Sequence, residues 1–449
     1  MTRPRISIIG LGKLGAPMAA CFGSKGFDVV GVDVDERYVE AVNTGRAPVY
    51  EPELEERLQA GRDRIRATTD TVAAVRETDV TMVIVPTPSE PEGGFSLRFV
   101  LQACEQIGRA LRNKDAWHLV GITSTVMPGS TGGPIRSALE EASGKRAGID
   151  FGLCYSPEFI ALGSVVRDFL NPDFLLVGES DPRAGDQLAS IYKEVCDVDA
   201  PVARMNFVNA ELAKLAVNTF VTTKIAFANM LARICEQMPE ADVDAVTAAL
   251  GLDSRIGPKY LKGAISYGGP CFPRDNMALA ALARSLEAPA IVAEATDRAN
   301  RDGIHRLAEL VRANLRNGGT VGILGLSYKP NTDVVEESPG LLLAAELAAD
   351  GIDILVHDPA ALENAQRALD GTDVRFANTP EDCVCESDVV VVATPWKEFR
   401  ELSANVVARE SEPRVVIDCW RVLPAFASVA TYIALGEGIA THDLVRSAG

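Results

Sequence analysis

The segment RISIIGLGKLGAPMAACFGSKGFDVVGVDVD, residues 5–35, constrains the fold more than any other. The apolar run Ile6–Ile9 reads as a buried strand. It breaks at Gly10-x-Gly12-x-x-Gly15, with Leu14 just before the third glycine, and a helix of small residues follows. A second apolar run, DVVGVD, ends at Asp33. Together these make a βαβ unit. Its glycines permit a tight turn, close approach of a pyrophosphate, and close helix–strand packing, with the pyrophosphate on the positive end of the helix. Asp33 lies 18 residues after Gly15, where an acid bonds a ribose 2′-hydroxyl. A lone glycine motif is weak, but strand, helix, second strand and terminal acid together indicate dinucleotide binding. An acid at this position repels the extra phosphate of NADP, so NAD is the expected cofactor. Arg37, nearby, argues the other way.

Further strands are expected within 79–88, 117–130 and 151–159, each ending in Pro, Gly, Thr or Ser. In a doubly wound sheet such ends line the ligand crevice. Near residue 204 the texture changes. Residues 205–238 contain no Gly or Pro before Met238 and keep a helical apolar rhythm. They predict one helix of ~34 residues, ~50 Å at 1.5 Å per residue, or two shorter helices with a kink. Helical texture continues to about 316, interrupted by a loop around Cys271. Then the opening pattern returns. TVGILGLSYKPNTD is a strand and glycine turn, and a helix and a strand ending at Asp358 follow. ETDVTMVIVPTP (77–88) is echoed by ESDVVVVATPW (386–396). The second half keeps only Gly322-x-x-Gly325, so a different nucleotide is expected there.

The predicted fold class is therefore α/β, with two Rossmann-like doubly wound domains joined by a central helical domain containing one long helix. The expected boundaries are 1–203 for an NAD-binding domain, 204–316 for the helical domain, and 317–449 for a second nucleotide-binding domain. A length of 449 residues agrees with more than one core. The net charge of −18 argues against nucleic-acid and anionic-membrane partners. No stretch reads as a membrane span or signal peptide, so no membrane insertion is expected. Nine scattered cysteines without a C-x-x-C pair, and only four His, predict no metal site and reduced thiols in a cytoplasmic setting.

Two groups of residues could carry chemistry. Lys214 and Asn218 are four apart, so they share one face of the long helix. They read either as a solvent-exposed pair or as donors aimed at a developing oxyanion, where one donor is worth ~3 kcal/mol. Cys271, in GGPCFPRDN, reads either as core filler or as a nucleophile. Two glycines precede it, Pro273 suits the first turn of a following helix, and Asp275 lies one turn on, where it could orient water. A reactive thiol combined with NAD suggests chemistry at the aldehyde level, with a thioester for water to hydrolyse.

Several ordered motifs carry a family resemblance: GLGKLG, GRAPVYEPELEERL, VPTPSE, STVMPGST, SPEF, ELAKLAVNTF, SYGGPCFPRD, GLSYKPNTD with ESP, and DCWRVL. Over roughly residues 5–430 the chain resembles the UDP-glucose/GDP-mannose 6-dehydrogenase family. The resemblance implies oxidation of the sugar 6-hydroxyl of a nucleotide sugar to a carboxylate with two NAD, through a Cys thiohemiacetal and thioester. It makes Cys271 the nucleophile, gives Lys214 and Asn218 the C6 oxygen, and has Asp275, Thr125 and Glu158 manage water and protons. It assigns NAD to Gly10, Gly12, Leu14, Gly15 and Asp33, with Thr87 and Thr125 on the nicotinamide side. It places Phe159, Arg255, Tyr260, Lys262, Gly268, Lys329 and Arg421 around the substrate, with Arg255 reaching the neighbouring subunit's substrate. The long helix would form a homodimer, and UDP-glucose is the expected substrate, feeding polysaccharide synthesis. Where many UDP-glucose enzymes carry a second acid, four after the first, this chain has Leu162. Gly163 resembles enzymes of UDP-N-acetylhexosamines, Pro270 replaces a frequent Ser, and Glu336 stands where an Arg is common before ESP.

Three readings follow. The first is the four-electron oxidation, with UDP-glucose, a UDP-N-acetylhexosamine or GDP-mannose as substrate. The second is a β-hydroxyacid-type dehydrogenase making a single hydride transfer, which needs neither Cys271 nor a second α/β half. The third is a non-catalytic NAD- or nucleotide-sugar-binding protein, against which the ordered Cys, Lys, Asn and Asp argue.

Overall fold

A computed structural model describes residues 3–409 and 412–438. The last residues of the expected C-terminal domain, 439–449, lie outside the described residues. The chain divides into two compact units, 1–216 and 217–449.

The first unit is built on an eight-stranded sheet: β1 Ile6–Ile9, β2 Val29–Val32, β3 Ile65–Thr68, β4 Val80–Val83, β5 Leu119–Ile122, β6 Gly152–Tyr155, β7 Leu175–Glu179 and β8 Val202–Met205. The order is β3-β2-β1-β4-β5-β6-β7-β8. Pairing is parallel except between β6 and β7. The inner strands read as continuous apolar runs because both faces of the sheet are covered. Ile8 and Val29 enter one core, and Ile9 and Val30 the other. The expected strands at 79–88, 117–130 and 151–159 are four residues each. β5 and β6 end where Thr123 and Ser156 follow, and β4 ends three residues before Pro86. The order reverses between β1 and β4, which opens a crevice at their C-terminal ends.

The second unit contains a six-stranded, wholly parallel sheet: β9 Thr320–Leu324, β10 Asp353–His357, β11 Arg375–Phe376, β12 Val389–Val392, β13 Val415–Asp418 and β14 Thr431–Ala434. Its order, β11-β10-β9-β12-β13-β14, repeats that of the first six strands. Again alternate residues separate: Val321 and Val389 enter one core, Leu324 and Val390 the other.

The long helix is continuous, Phe207–Glu236, 30 residues, with no break. It begins in the first unit and ends in the second. Contrary to the expectation that no stretch reads as a membrane span, this helix, alone among the described residues, is long and apolar enough to cross a membrane, by length and composition only. Its buried Glu211, Lys214 and Asn218 each bond to another segment.

Candidate active site

The dinucleotide side lies in the first unit. Gly10 follows β1 at φ +100° and donates its amide to Val32 O at 2.7 Å. A Cβ on Gly15 would stand 1.8 Å from Gly10 O, so strand and helix touch backbone to backbone. A Cβ on Gly12 would meet nothing within 4 Å. The fold thus requires glycine at 15 but not at 12. The space over Gly12, beside the N-terminal end of helix Gly15–Ser24 that Leu14 precedes, is a cradle that a pyrophosphate fits. Asp33 accepts Leu11 N–H at 2.7 Å and Asp35 N–H at 2.9 Å, which fixes its carboxylate at the end of β2. Arg37 pairs with Asp35 at 2.6 Å and holds that carboxyl below its usual range, so its charge is already engaged. Thr87 donates to Thr125 O at 2.9 Å, joining the loops after β4 and β5.

Glu158 is the junction of a second group in this unit. Its carbonyl accepts from Lys214 Nζ at 2.7 Å, and its Oε1 accepts from the Tyr192 hydroxyl at 2.8 Å. The Lys214 ammonium also sits 4.6 Å from the centre of the Phe159 ring. Burial pushes the Glu158 carboxyl up to about 7, against the Tyr192 hydrogen bond and the Lys214 charge. A carboxyl so placed can both give and take a proton near neutrality. Glu211, fully buried, accepts the amides of Gly129 and Thr131 at 2.6 and 2.7 Å, anchoring the segment that carries Thr125. Glu51 accepts those of Gly163 and Val165 at 2.7 and 2.8 Å, pinning the loop around Leu162.

In the second unit, Cys271 is exposed and caps helix Phe272–Ser285, whose first turn contains Pro273. Asp275 N–H bonds back to Cys271 O at 2.8 Å. The Asp275 carboxylate, 2% exposed, accepts from Asn218 Nδ2 at 2.7 Å. One amide hydrogen of Asn218 is thereby committed, which fixes the amide plane and leaves the other hydrogen to donate. Phe272 meets the edges of Tyr260 and Tyr267 at 6.1 and 6.4 Å. Tyr260 holds φ +63°, a strained setting for a non-glycine residue. The loop before Cys271 is clamped twice. Asn229 bonds Ala264 N–H and Ile265 O, and Asn300 bonds both polar groups of Tyr267, all at 2.7–2.9 Å.

The remaining expected substrate residues of this unit divide. Lys262 and Arg421 share Asp244, Lys262 at 3.6 Å and Arg421 through two bonds of 2.9 and 3.0 Å. Gly268 packs so closely on Glu337 O that a Cβ would come within 2.0 Å. Lys329 lies 6.0 Å from the Tyr328 ring. Arg255 stands apart on the surface, paired with Asp253 at 2.6 Å. Among the described residues no group of three or more His, Cys, Asp or Glu could hold a metal ion. Tyr192, Glu211, Asn229 and Asn300 escaped the sequence reading. Their partners lie 33–82 residues away, beyond any local pattern.

The chain matches the sequence models of the UDP-glucose/GDP-mannose dehydrogenase family along most of its length. The NAD binding domain covers residues 4–196, the central domain 208–302, and the UDP binding domain 322–425. It is 38% identical over 423 residues to the UDP-glucose 6-dehydrogenase AglM of Haloferax volcanii, covering 93% of this chain and 97% of that protein. It is 34% identical over 415 residues to the GDP-mannose 6-dehydrogenase of Pseudomonas syringae pv. tomato, covering 89% and 93%. The solved UDP-glucose dehydrogenase of Pyrobaculum islandicum superposes with a TM-score of 0.89 at 35% identity, covering 97% of this chain and 98% of that one.

Proposed function

Since this chain belongs to the UDP-glucose/GDP-mannose dehydrogenase family of NAD-dependent nucleotide-sugar 6-dehydrogenases, we propose that it oxidises UDP-glucose to UDP-glucuronate through Cys271. One observation carries the covalent route. Cys271 is exposed at the start of a helix whose first turn holds a buried, Asn218-bonded Asp275. The choice of sugar rests on the likeness to two UDP-glucose enzymes.

Bound NAD supplies the hydride acceptor for each of two oxidations at C6. In the first, the alcohol loses its proton and a hydride and becomes an aldehyde. Cys271 thiolate adds to the aldehyde carbon, and the carbonyl electron pair moves onto oxygen, where Lys214 and Asn218 stabilise it. The thiohemiacetal then loses a second hydride and the hydroxyl proton, leaving a thioester. Glu158 takes a proton from water, the water oxygen attacks the acyl carbon, and Cys271 leaves as thiolate. Asp275 holds Asn218, and Thr125 and Thr87 line the nicotinamide side. With Leu162 where relatives of this type carry a second acid, Glu158 is the base we assign. Phe159, Arg255, Tyr260, Lys262, Gly268, Lys329 and Arg421 are assigned to the nucleotide sugar. Residues 1–203, 204–316 and 317–449 are assigned to NAD, catalysis and the UDP group.

The decisive measurement is NADH formed per nucleotide sugar consumed. Two is expected, and one or none would overturn the reading. Cys271→Ser should abolish turnover while NAD still binds; normal oxidation by that variant removes the thiol from the mechanism. Across UDP-glucose, UDP-galactose, UDP-N-acetylhexosamines and GDP-mannose, kcat/KM should be highest for UDP-glucose. A homodimer through the long helix is supported by its exposed Phe220, Phe227, Met230 and Ile234. Phe220→Asp with Phe227→Asp should halve the mass seen by light scattering.

A further inference from the structure

Glu158 sits three residues past the end of β6, on a segment with no regular hydrogen-bond ladder to hold it. Two other elements fix it instead. The long helix supplies Lys214, which bonds the backbone carbonyl at 2.7 Å. Helix Pro182–Val195 supplies Tyr192, whose hydroxyl bonds the side chain at 2.8 Å. Tyr192 is 1% exposed, and Ser156 Oγ donates to its oxygen at 3.3 Å. That arrangement orients the hydroxyl. Ser156 donates to Tyr192, so the phenolic hydrogen is directed at Glu158 Oε1. One carboxyl oxygen is thereby held in a set direction, and the same residue's carbonyl positions the Lys214 ammonium.

We propose that Tyr192 is a positioning residue for this reaction. Its hydroxyl anchors Glu158 Oε1 so that the carboxyl group presents a fixed geometry to the proton it takes. The proposal rests on the reading of Glu158 as the base for thioester hydrolysis. The groups facing the carboxyl are Tyr192 and Cys196 from one helix and its end, and Lys214 from the other. Cys196 and Tyr192 are both pushed up by burial, so both are neutral around pH 7 and Lys214 is the charged neighbour.

The sign of the effect follows from the donor. A hydrogen bond to the ionised form favours ionisation, so its loss raises the carboxyl pKa. Tyr192→Phe keeps the ring and removes the donor. A hydrogen bond to a charged group is worth ~1.5–3 kcal/mol, so the titration should move up by about one pH unit or more. The rising acid limb of kcat should move with it. The KM for nucleotide sugar should change less than twofold, and kcat at pH 7 should fall about fivefold or more, because a midpoint moving from about 7 to about 8 takes the ionised fraction at pH 7 from about one half to about one eleventh.

Difference infrared spectroscopy across pH 5–9 reads the carboxyl directly, because Glu158→Gln identifies its band by removing it. A second variant guards against a folding defect: 3-fluorotyrosine at position 192 keeps the shape but strengthens the donor, and should shift band and limb downward. Opposite shifts in the two variants, with kcat following, support the inference. A band midpoint unmoved by Tyr192→Phe and by fluorination overturns it. A band that moves while the kcat limb stays put overturns Glu158 as the base, and the positioning role with it.

Discussion

Replacing Gly12 and Gly15 separately with alanine should give opposite outcomes in one glycine motif. At Gly15 the new Cβ would lie 1.8 Å from Gly10 O, a backbone atom that no rotamer change can move. The helix must retreat from the strand by more than an ångström. Overpacking costs ~1–3 kcal/mol, and a fixed backbone clash belongs at or beyond the top of that range. At ~2–4 °C per kcal/mol for a unit of about 200 residues, the apo protein should melt roughly 6–12 °C lower. At Gly12 the Cβ meets nothing within 4 Å, and its φ is not in the left-handed region. Apo stability should hold or rise by ~0.4–1 kcal/mol, since alanine restricts the unfolded chain. The damage should appear only with ligand. A methyl in the cradle pushes the pyrophosphate off the backbone amides, and losing charge-assisted bonds of ~1.5–3 kcal/mol raises the NAD Kd by ~10–100-fold. Calorimetric melting of the apo protein and NAD titration of both variants test the pair. If Gly12→Ala melts as low as Gly15→Ala, Gly12 is structural. If it binds NAD within twofold of the parent, the pyrophosphate does not cross Gly12.

Three further outcomes are expected. Glu211→Gln sets an amide NH₂ against one of two backbone N–H groups, so it should cost ~2–4 kcal/mol in denaturant unfolding and weaken NAD binding through the Thr125 segment. Asn300→Asp keeps the acceptor for Tyr267 N–H but turns the donor to Tyr267 O into a repelling oxygen; kcat should fall by ~10–100-fold in steady-state assays while the NAD Kd stays unchanged. His118, fully buried with its pKa pushed down to about 3 by burial and then by Lys114, should make the fold acid-sensitive. Its folded value lies below the unfolded ~6.5, so stability is intact above that pH and falls as pH drops toward 3, by about 3 kcal/mol at pH 4.5. His118→Gln should flatten that slope in urea midpoints measured between pH 7 and 4.5.

The elements the sequence revealed are those whose cause is local. The βαβ opening, the long helix and the helix after Cys271 follow from apolar period, glycine spacing and Pro273. The predicted 205–238 helix differs from Phe207–Glu236 by two residues at each end: Met205 ends β8, Asn206 accepts Asn209 N–H at 2.9 Å as a cap, and Gln237 and Met238 form a closing turn. Strands β3, β7 and β8 were not expected. Ile65–Thr68 and Val202–Met205 are edge strands with alternating exposure, and Leu175–Glu179 borders the antiparallel step, so none is a long apolar run. At the site, the identities of Lys214, Asn218 and Asp275 were legible, but their settings were not. Lys214 bonds a carbonyl and faces an aromatic ring, and Asn218 bonds a carboxylate. These are long-range pairings, which the topology creates and no spacing rule encodes.

The repeated half shows how one architecture gives up a dinucleotide site. Gly10-Leu11-Gly12 after β1 corresponds to Gly325-Leu326-Ser327 after β9. In both halves a Cβ on the later helix glycine, Gly15 or Gly340, would fall within 2.0 Å of the first glycine's carbonyl, so the helix–strand contact is retained. The open position is not. Where Gly12 leaves space, Ser327 puts a hydroxyl that bonds Asp358 at 2.9 Å. Asp358, the counterpart of Asp33, is 1% exposed and also accepts Leu326 N–H, Ser327 N–H and Trp396 Nε1. An acid so committed has little capacity left for a ribose diol, and a serine in the cradle bars the pyrophosphate. The turn has also changed purpose. Residues 10–14 suffice between β1 and its helix, whereas residues 325–338 separate β9 from Pro339–Ala349. The extra chain reaches the loop before Cys271: Glu336 O accepts Gly269 N–H at 2.9 Å, Glu337 O abuts Gly268, and the Tyr328 ring lies against Gly269. Glycines at 268 and 269 are what let two backbones meet there. The segment that stands where the first half has its short glycine turn thus supports the loop before Cys271, and Lys329 lies on that same segment.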